Sequence, residues 1–161
     1  MLLGGTEAEG VDPEYFHPLS VTVDPFLPIA DIWQVTVEFR PMVHWSGAVV
    51  AGWGGGDSYF GESPSWEMGG QLRWYPWNPT PLEWLFLAEF IGGRTRLEDY
   101  GSLDESTNLS AALAAGFKYA AYTGFTIEGQ LGALASRSDY RFDETELGWT
   151  PYLNFGVGWS F

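Results

Sequence analysis

The chain lacks cysteine, has few basic residues and contains no long apolar run. Without Cys there can be no disulfide, thiolate metal site or cysteine nucleophile. Lys and Arg number only 7 against 21 Asp and Glu, and this net charge of −14 argues against nucleic acid, whose phosphates require a basic surface. No stretch approaches the roughly 20 consecutive apolar residues of a membrane-spanning helix. If the chain crosses a membrane, only a closed barrel of strands can do so.

Aromatic residues are abundant. The 161 residues include 9 Trp, 8 Tyr and 11 Phe, which is more than a small soluble core can readily use. The length suits one folded unit. Because the segment Gly4–Pro13 is polar, we predict a flexible N-terminal segment over residues 1–16 and a single domain over residues 17–161.

The last residues of the chain alternate in character with a period of two. Large apolar side chains occupy every second position up to the terminal Phe161, and small or polar ones lie between them. This pattern is typical of a strand with one apolar face and one small, polar face. The apolar set is Leu153, Phe155, Val157, Trp159 and Phe161, and the other set is Asn154, Gly156, Gly158 and Ser160.

Eight segments can carry such an alternation, so the sequence predicts eight strands. Their lengths cluster near the ~9 to 11 residues that a tilted membrane strand requires. The first is the weakest, because Pro25 and Pro28 would each remove a ladder hydrogen bond. We expect it to end at Asp24, with Ile29 as the alternative. The segments are Pro18–Asp24, Trp33–Arg40, Trp45–Gly54, Trp66–Tyr75, Glu83–Arg94, Leu109–Ala120, Phe125–Ser136 and Tyr152–Phe161.

The connections alternate between short and long from the second one onward. Outer-membrane barrels have short periplasmic turns and long outer loops, so the alternation predicts that both termini are periplasmic. The short turns are 41–44, 76–82 and 121–124, and the predicted long loops are Gly55–Ser65, Leu97–Asn108 and Arg137–Thr150.

The predicted outer loops combine carboxylates with aromatic side chains, which together could recognise an extracellular partner or a larger complex. No spacing matches an ordered calcium loop, so we predict no metal site and no cofactor. The acids are Asp57, Glu62, Glu98, Asp99, Asp104, Glu105, Asp139, Asp143, Glu144 and Glu146, and the aromatics are Tyr59, Phe60, Tyr100, Tyr140, Phe142 and Trp149.

Side-chain size indicates which face of the strands is inside. Eight strands enclose a lumen just wide enough for side chains, so the many indole and phenyl rings must lie outside. The opposite face is small and polar, and its charges must be paired if they are buried. Leu85, Leu87 and Ile91 share this inward parity, although they are apolar. We predict a plug of salt bridges, and no open pore, from Glu38, Arg40, Glu67, Arg73, Glu89, Lys118 and Glu128.

Tryptophan is concentrated at strand ends and in short turns. An indole combines an apolar body with a hydrogen-bond donor and prefers the headgroup region of a bilayer. We therefore predict two interfacial girdles that include Trp33, Trp45, Trp66, Trp74, Trp77, Trp84 and Trp159.

The pattern over Pro18 to Phe161 resembles the small eight-stranded outer-membrane barrels typified by OmpX and the transmembrane domain of OmpA. The resemblance implies an all-β fold, an antiparallel up-and-down transmembrane barrel in the outer membrane of a Gram-negative bacterium. It also implies contact with outer-membrane lipid and lipopolysaccharide. The terminal Phe161 resembles this family's signal for the outer-membrane insertion machinery.

The functional hypothesis that follows is a structural or surface-interaction role through the outer loops, without enzymatic activity. Two alternatives remain open. His44 and Ser46 have a His-x-Ser spacing that puts both side chains on one side of a strand, which resembles a lipid A-modifying family of outer-membrane enzymes. A soluble, lipocalin-like barrel that binds a small molecule would also show the period of two.

Overall fold

The computed structural model describes residues 15–26, 32–58, 61–99, 102–139 and 146–161. It contains eight strands, each hydrogen-bonded antiparallel to the next, and the last pairs with the first to close a barrel. The predicted eight-stranded up-and-down barrel is confirmed. Within the described residues, no helix has the length and apolar character needed to cross a bilayer. The strands are β1 (Leu19–Val23), β2 (Ile32–Met42), β3 (Trp45–Ser58), β4 (Gly61–Trp74), β5 (Leu82–Asp99), β6 (Ser102–Ala120), β7 (Phe125–Asp139) and β8 (Glu146–Ser160).

The register of the strands fixes the shape of the barrel. Following the paired residues from Val21 through each strand in turn leads to Trp149 in β8, yet the residue of β8 that pairs with Val21 is Trp159. This offset of ten residues is the shear of the barrel. With eight strands it implies a tilt of about 40° and a lumen that side chains can fill.

The two ends of the barrel differ. One end, here called the turn end, carries the described part of the N-terminus, the C-terminus and the connections β2–β3, β4–β5 and β6–β7. The four-residue connection 121–124 between β6 and β7 uses the left-handed backbone of Gly124 (φ 95°), a conformation that favours glycine. The opposite end, here called the loop end, carries the connections β3–β4, β5–β6 and β7–β8, together with β1–β2.

The predicted assignment of the two faces is confirmed. Large apolar side chains lie outside, where Leu113 and Leu153 are 70% and 77% exposed. Polar and charged side chains lie inside, together with Leu85 and Leu87, which are buried. A soluble lipocalin-like barrel has the opposite arrangement, with its apolar side chains in the lumen.

Three segments predicted as long loops are largely strand. β3 continues to Ser58 and β4 begins at Gly61, so most of the predicted loop Gly55–Ser65 belongs to a hairpin. In the same way, β5 and β6 extend through most of Leu97–Asn108, and β7 and β8 through much of Arg137–Thr150. The ladders continue beyond the apolar alternation because backbone pairing does not depend on which side chains face lipid.

The first strand ends early, as the prolines predict. β1 stops at Val23, before Pro25, and spans only five residues. It contributes four residue pairs to the closing seam with β8, from Ser20–Ser160 to Val23–Val157. The terminal Phe161 extends this seam, because its N–H donates to the carbonyl of Leu19 (2.7 Å).

Candidate functional site

Glu38 lies at the centre of a buried polar network near the turn end. Its Oε1 accepts hydrogen bonds from the hydroxyls of Ser46 (2.5 Å) and Tyr75 (2.6 Å). Its Oε2 accepts from Nζ of Lys118 (2.7 Å) and from the Arg73 guanidinium (3.1 Å). The four donors come from β3, the end of β4, and β6, so this one carboxylate ties together strands from across the lumen.

Arg73 joins the same network to β7. Its guanidinium donates to both carboxylate oxygens of Glu128 (2.8 and 3.2 Å) as well as to Glu38. Its Nε donates to the amide oxygen of Gln71 (2.7 Å). Because Arg73 is completely buried, its charge depends on these acceptors in place of water.

A second ion pair lies closer to the turn end. The Arg40 guanidinium donates to both oxygens of Glu83 (2.9 and 2.8 Å) and also to the backbone carbonyl of Val43. It lies 3.9 Å from the centroid of the Tyr75 ring and 5.5 Å from that of Phe16. Outside the spanning strands at this end, burial lowers the pKa of His17, and the nearby Lys118 ammonium lowers it further.

Sequence reasoning missed Glu83, Tyr75 and Tyr152 as members of the lumen. Glu83 has the same parity as Glu89 and could have been found from that signal. Tyr75 and Tyr152 also have inward parity, but their rings resemble those of the outer face. Both donate hydroxyl hydrogen bonds to carboxylates, to Glu38 and Glu89 respectively.

The predicted residues Glu67 and Glu89 lie apart from the three cations. Neither forms an ion pair with Arg40, Arg73 or Lys118 in the described structure. Glu89 accepts hydrogen bonds from the amide of Gln71 and from the hydroxyl of Tyr152. The ion pairs therefore include only part of the predicted set, and Glu89 is joined to Arg73 only through the side chain of Gln71, because the register separates these residues along the barrel axis.

Glycines make room for the long side chains of the lumen. Gly52 is the cross-strand partner of Glu67, and a Cβ at Gly52 would lie 2.6 Å from that side chain. Gly156 is the partner of Glu128 in the same way, with a distance of 2.7 Å. At both positions, the absence of a side chain on the glycine leaves space for a carboxylate side chain of the neighbouring strand.

His44 and Ser46 are not arranged as a catalytic pair. The Ser46 hydroxyl is buried and donates to Glu38, whereas Nδ1 of the exposed His44 lies 2.8 Å from the backbone oxygen of Tyr75. A nucleophilic serine needs a base within hydrogen-bond reach, and no described contact joins these two side chains.

We expect Ser46→Ala to lower the free energy of unfolding by about 1 to 3 kcal/mol, because Glu38 loses one of its donors. Chemical denaturation in lipid vesicles measures this change. Lipid A mass spectrometry on expressing cells should be identical for the wild type and the variant. Loss of a lipid A modification in the variant would instead support the enzyme hypothesis.

The tryptophans form rows across neighbouring strands. Near the loop end Trp33 pairs with Trp53, Trp53 with Trp66, and Trp66 with Arg94. Trp53, which is not among the predicted girdle residues, completes this row. All nine Trp side chains of the chain are exposed. At the turn end Trp45 pairs with Trp74, and their ring centroids are 6.4 Å apart. Trp84 lies near the start of β5, Trp159 near the end of β8, and Trp77 in the β4–β5 turn.

Part of the predicted partner surface lies outside the described residues. Tyr59, Phe60, Tyr100, Tyr140, Phe142, Asp143 and Glu144 fall there, as does most of the N-terminal segment. Within the described residues, no three His, Asp or Glu side chains are grouped so that they could hold a metal ion.

The fold matches solved barrels despite low sequence identity. The N-terminal β-barrel domain of OprF from Pseudomonas aeruginosa is 14% identical, with a TM-score of 0.59 over 89% of this chain and 94% of that chain. Neisserial surface protein A (NspA) is 12% identical, with a TM-score of 0.57 over 89% of this chain and 92% of that chain. Both are small outer-membrane β-barrels. Comparisons with protein-family models and with curated proteins gave no match.

Proposed function

We propose that the chain is an integral β-barrel of the bacterial outer membrane, with neither a conducting pore nor an enzymatic activity, whose working surface is the loop end. The single observation that carries the proposal is the uncharged belt between the two tryptophan rows. On β3 and β4 the outward residues between the rows are Gly47, Val49, Ala51, Met68, Gly70 and Leu72.

The height of this belt is close to that of the lipid-facing band of a membrane barrel. Trp45 and Trp53 lie eight residues apart on β3, as do Trp74 and Trp66 on β4. At ~3.3 Å per residue and a tilt of about 40°, this separation spans about 20 Å. The apolar band of outer-membrane barrels is about 25 Å tall, and indoles flank it on both sides. Soluble monomeric proteins rarely expose an apolar surface this continuous to water.

The lumen supports the absence of a pore. Glu38, Arg40, Arg73, Lys118 and Tyr75 are each no more than 2% exposed. Solvent therefore does not reach the middle of the turn-end half of the barrel from either end. Salt bridges and hydrogen bonds fill that cross-section, so an ion would have to break them to pass.

The strand extensions support a role for the loop end. β3 continues five residues beyond Trp53, and β5 continues five residues beyond Arg94. Paired hairpins of this length would rise above the belt and present the acidic and aromatic residues of their tips to an extracellular partner or to a membrane complex. Phe161, exposed at the other end, is the proposed contact for the insertion machinery.

Two measurements test the proposal. Refolded protein is expected to show strong Trp quenching by lipids brominated on their acyl chains, because all nine indoles are exposed. Planar-bilayer recordings are expected to show no steady conductance. Absence of quenching would overturn the membrane assignment, and a large stable channel would overturn the plug.

The role of the loop end requires a separate test. Replacing residues 140–145 with a short Gly-Ser connection leaves the described strands intact. We expect the variant to keep the heat-modifiable gel migration of a folded barrel and to lose a partner that the wild type captures from native membranes. Equal recovery of that partner by both proteins would contradict a role for this hairpin.

A further inference from the structure

The loop-end half of the lumen contains a cavity of about 270 Å³. Its lining includes the carboxylates Glu67 and Glu89, the apolar side chains Ile91 and Leu134, and the polar side chains Tyr152 and Asn154.

Charge is segregated along the barrel axis. Arg40, Arg73 and Lys118 all engage carboxylates in the turn-end half, namely Glu38, Glu83 and Glu128. Glu67 lies six residues further toward the loop end than Arg73 on β4, and Glu89 lies six residues further than Glu83 on β5. The turn-end set is thus balanced, whereas no described residue that lines the cavity is Lys, Arg or His.

Glu89 is a buried carboxylate with one unused oxygen. The side chain is 4% exposed. Its Oε2 accepts from both the Gln71 amide and the Tyr152 hydroxyl, and its Oε1 has no hydrogen-bond partner in the described structure. Arg73 reaches Gln71 but not Glu89. A buried anion without a matching positive charge is unfavourable, so this oxygen marks a place where a cation would be stabilised.

Glu67 supplies a second carboxylate to the cavity from β4, the strand that pairs with the β5 strand of Glu89. It is half-buried and lies over Gly52, whose missing Cβ leaves the space for it. Within the described part of the chain it makes no hydrogen bond or ion pair. Its partial exposure leaves the cavity accessible from the loop end. Asp24 also lines the cavity, but its oxygens accept from the backbone N–H groups of Phe26 (2.7 Å) and Phe155 (3.5 Å).

We propose that this cavity binds a small aliphatic ammonium ion, with Glu67 and Glu89 receiving its positive charge. Ile91 and Leu134 would contact its methylene groups, since they form the apolar part of the wall. The size of the cavity suits a small ligand. A metal ion fits less well, because the described carboxylates do not form a group that could hold one.

Isothermal titration of the refolded full chain with putrescine, a four-carbon diamine, tests the proposal. We expect saturable binding to the wild type and no binding of the neutral analogue 1,4-butanediol. Glu67→Gln and Glu89→Gln, which keep the shape and remove the charge, are each expected to weaken binding at least tenfold. Glu146→Gln removes one charge from the same end of the barrel and is the matched control, with an expected change of less than twofold.

A second variant keeps the test independent of folding defects. Glu67→Lys places an ammonium in the cavity, so it should abolish putrescine binding and raise the thermal midpoint, while heat-modifiable migration verifies the fold. The proposal is overturned if the wild type shows no saturable binding, or if all three glutamine variants bind equally. It is also overturned if Glu67→Lys still binds putrescine.

The same ammonium chemistry could come from a lysine side chain of another protein. Titration with Nα-acetyl-lysine N-methylamide distinguishes the two sources. Tighter binding of putrescine supports a free amine as the ligand, which is the form proposed here. Tighter binding of the lysine derivative would overturn that form and assign the cavity to a protein side chain.

Discussion

Replacing Arg73 with methionine is expected to lower the free energy of unfolding by about 3 to 5 kcal/mol, the effect of removing one partner from a buried ion pair. Methionine retains much of the length of the side chain but none of its donors. Glu38 would keep Lys118, whereas Glu128 would lose its ion pair and keep the weaker hydrogen bond from Thr22 (3.2 Å). Urea unfolding in lipid vesicles, followed by Trp fluorescence, measures the change.

Arg94→Met provides the matched control. Arg94 is exposed on the outer face beside Trp66, so its removal buries no uncompensated charge, and a change below about 1 kcal/mol is expected. If both variants lose the same stability, the plug does not contribute in the way proposed. Comparable stability of Arg73→Met and the wild type would show that the carboxylates around it are not held as charged groups.

Replacing Gly158 with alanine is expected to disrupt closure of the barrel, either preventing folding or lowering the free energy of unfolding by more than about 4 kcal/mol. A Cβ at Gly158 would overlap the backbone carbonyl oxygen of Val21 on β1 and press on Cα of Thr22 (2.7 Å). Backbone in a ladder cannot move aside as a side chain can, and the β1–β8 seam has only four residue pairs. The folded fraction by gel mobility and the urea midpoint measure the effect.

Gly148→Ala is the control for that experiment. Gly148 lies in the same strand and on the same face, but a Cβ there would meet only the Ser136 hydroxyl at an ordinary 3.6 Å. We expect a change within about 1 kcal/mol. Equal behaviour of the two alanine variants would mean that β8 tolerates side chains along its whole length and that the seam is looser than the register indicates.

The closing strand and the inner face could be predicted because they depend on local alternation alone. Leu153 to Phe161 and Gln34 to Arg40 change character at every residue, so their parity is evident without knowledge of the partners. The hairpin extensions could not be predicted in this way. Gly54, Gly55 and Gly56 carry no side chains that could alternate, although their backbones continue the ladder with β4.

The limited extent of the ion pairs in the charged lumen also could not be predicted from the sequence. Parity tells which face a residue occupies, but height along the axis depends on the register of all eight strands. Glu128 and Glu89 therefore looked equivalent, yet only Glu128 lies within reach of Arg73. Without Glu83, the four predicted carboxylates and three cations looked like one network of near-balanced charge, whereas the three cations engage Glu38, Glu83 and Glu128 at the turn end.

The pairing of glycines with long side chains has a consequence for how such a lumen can change over evolution or in design. Gly52 with Glu67 and Gly156 with Glu128 each divide one volume unequally between two strands. Enlarging the glycine alone overfills the space that the two residues share, and shortening its partner alone leaves a void there. A compatible change therefore alters both positions together. The fold constrains the summed side-chain volume of the pair and does not constrain the identity of either residue by itself.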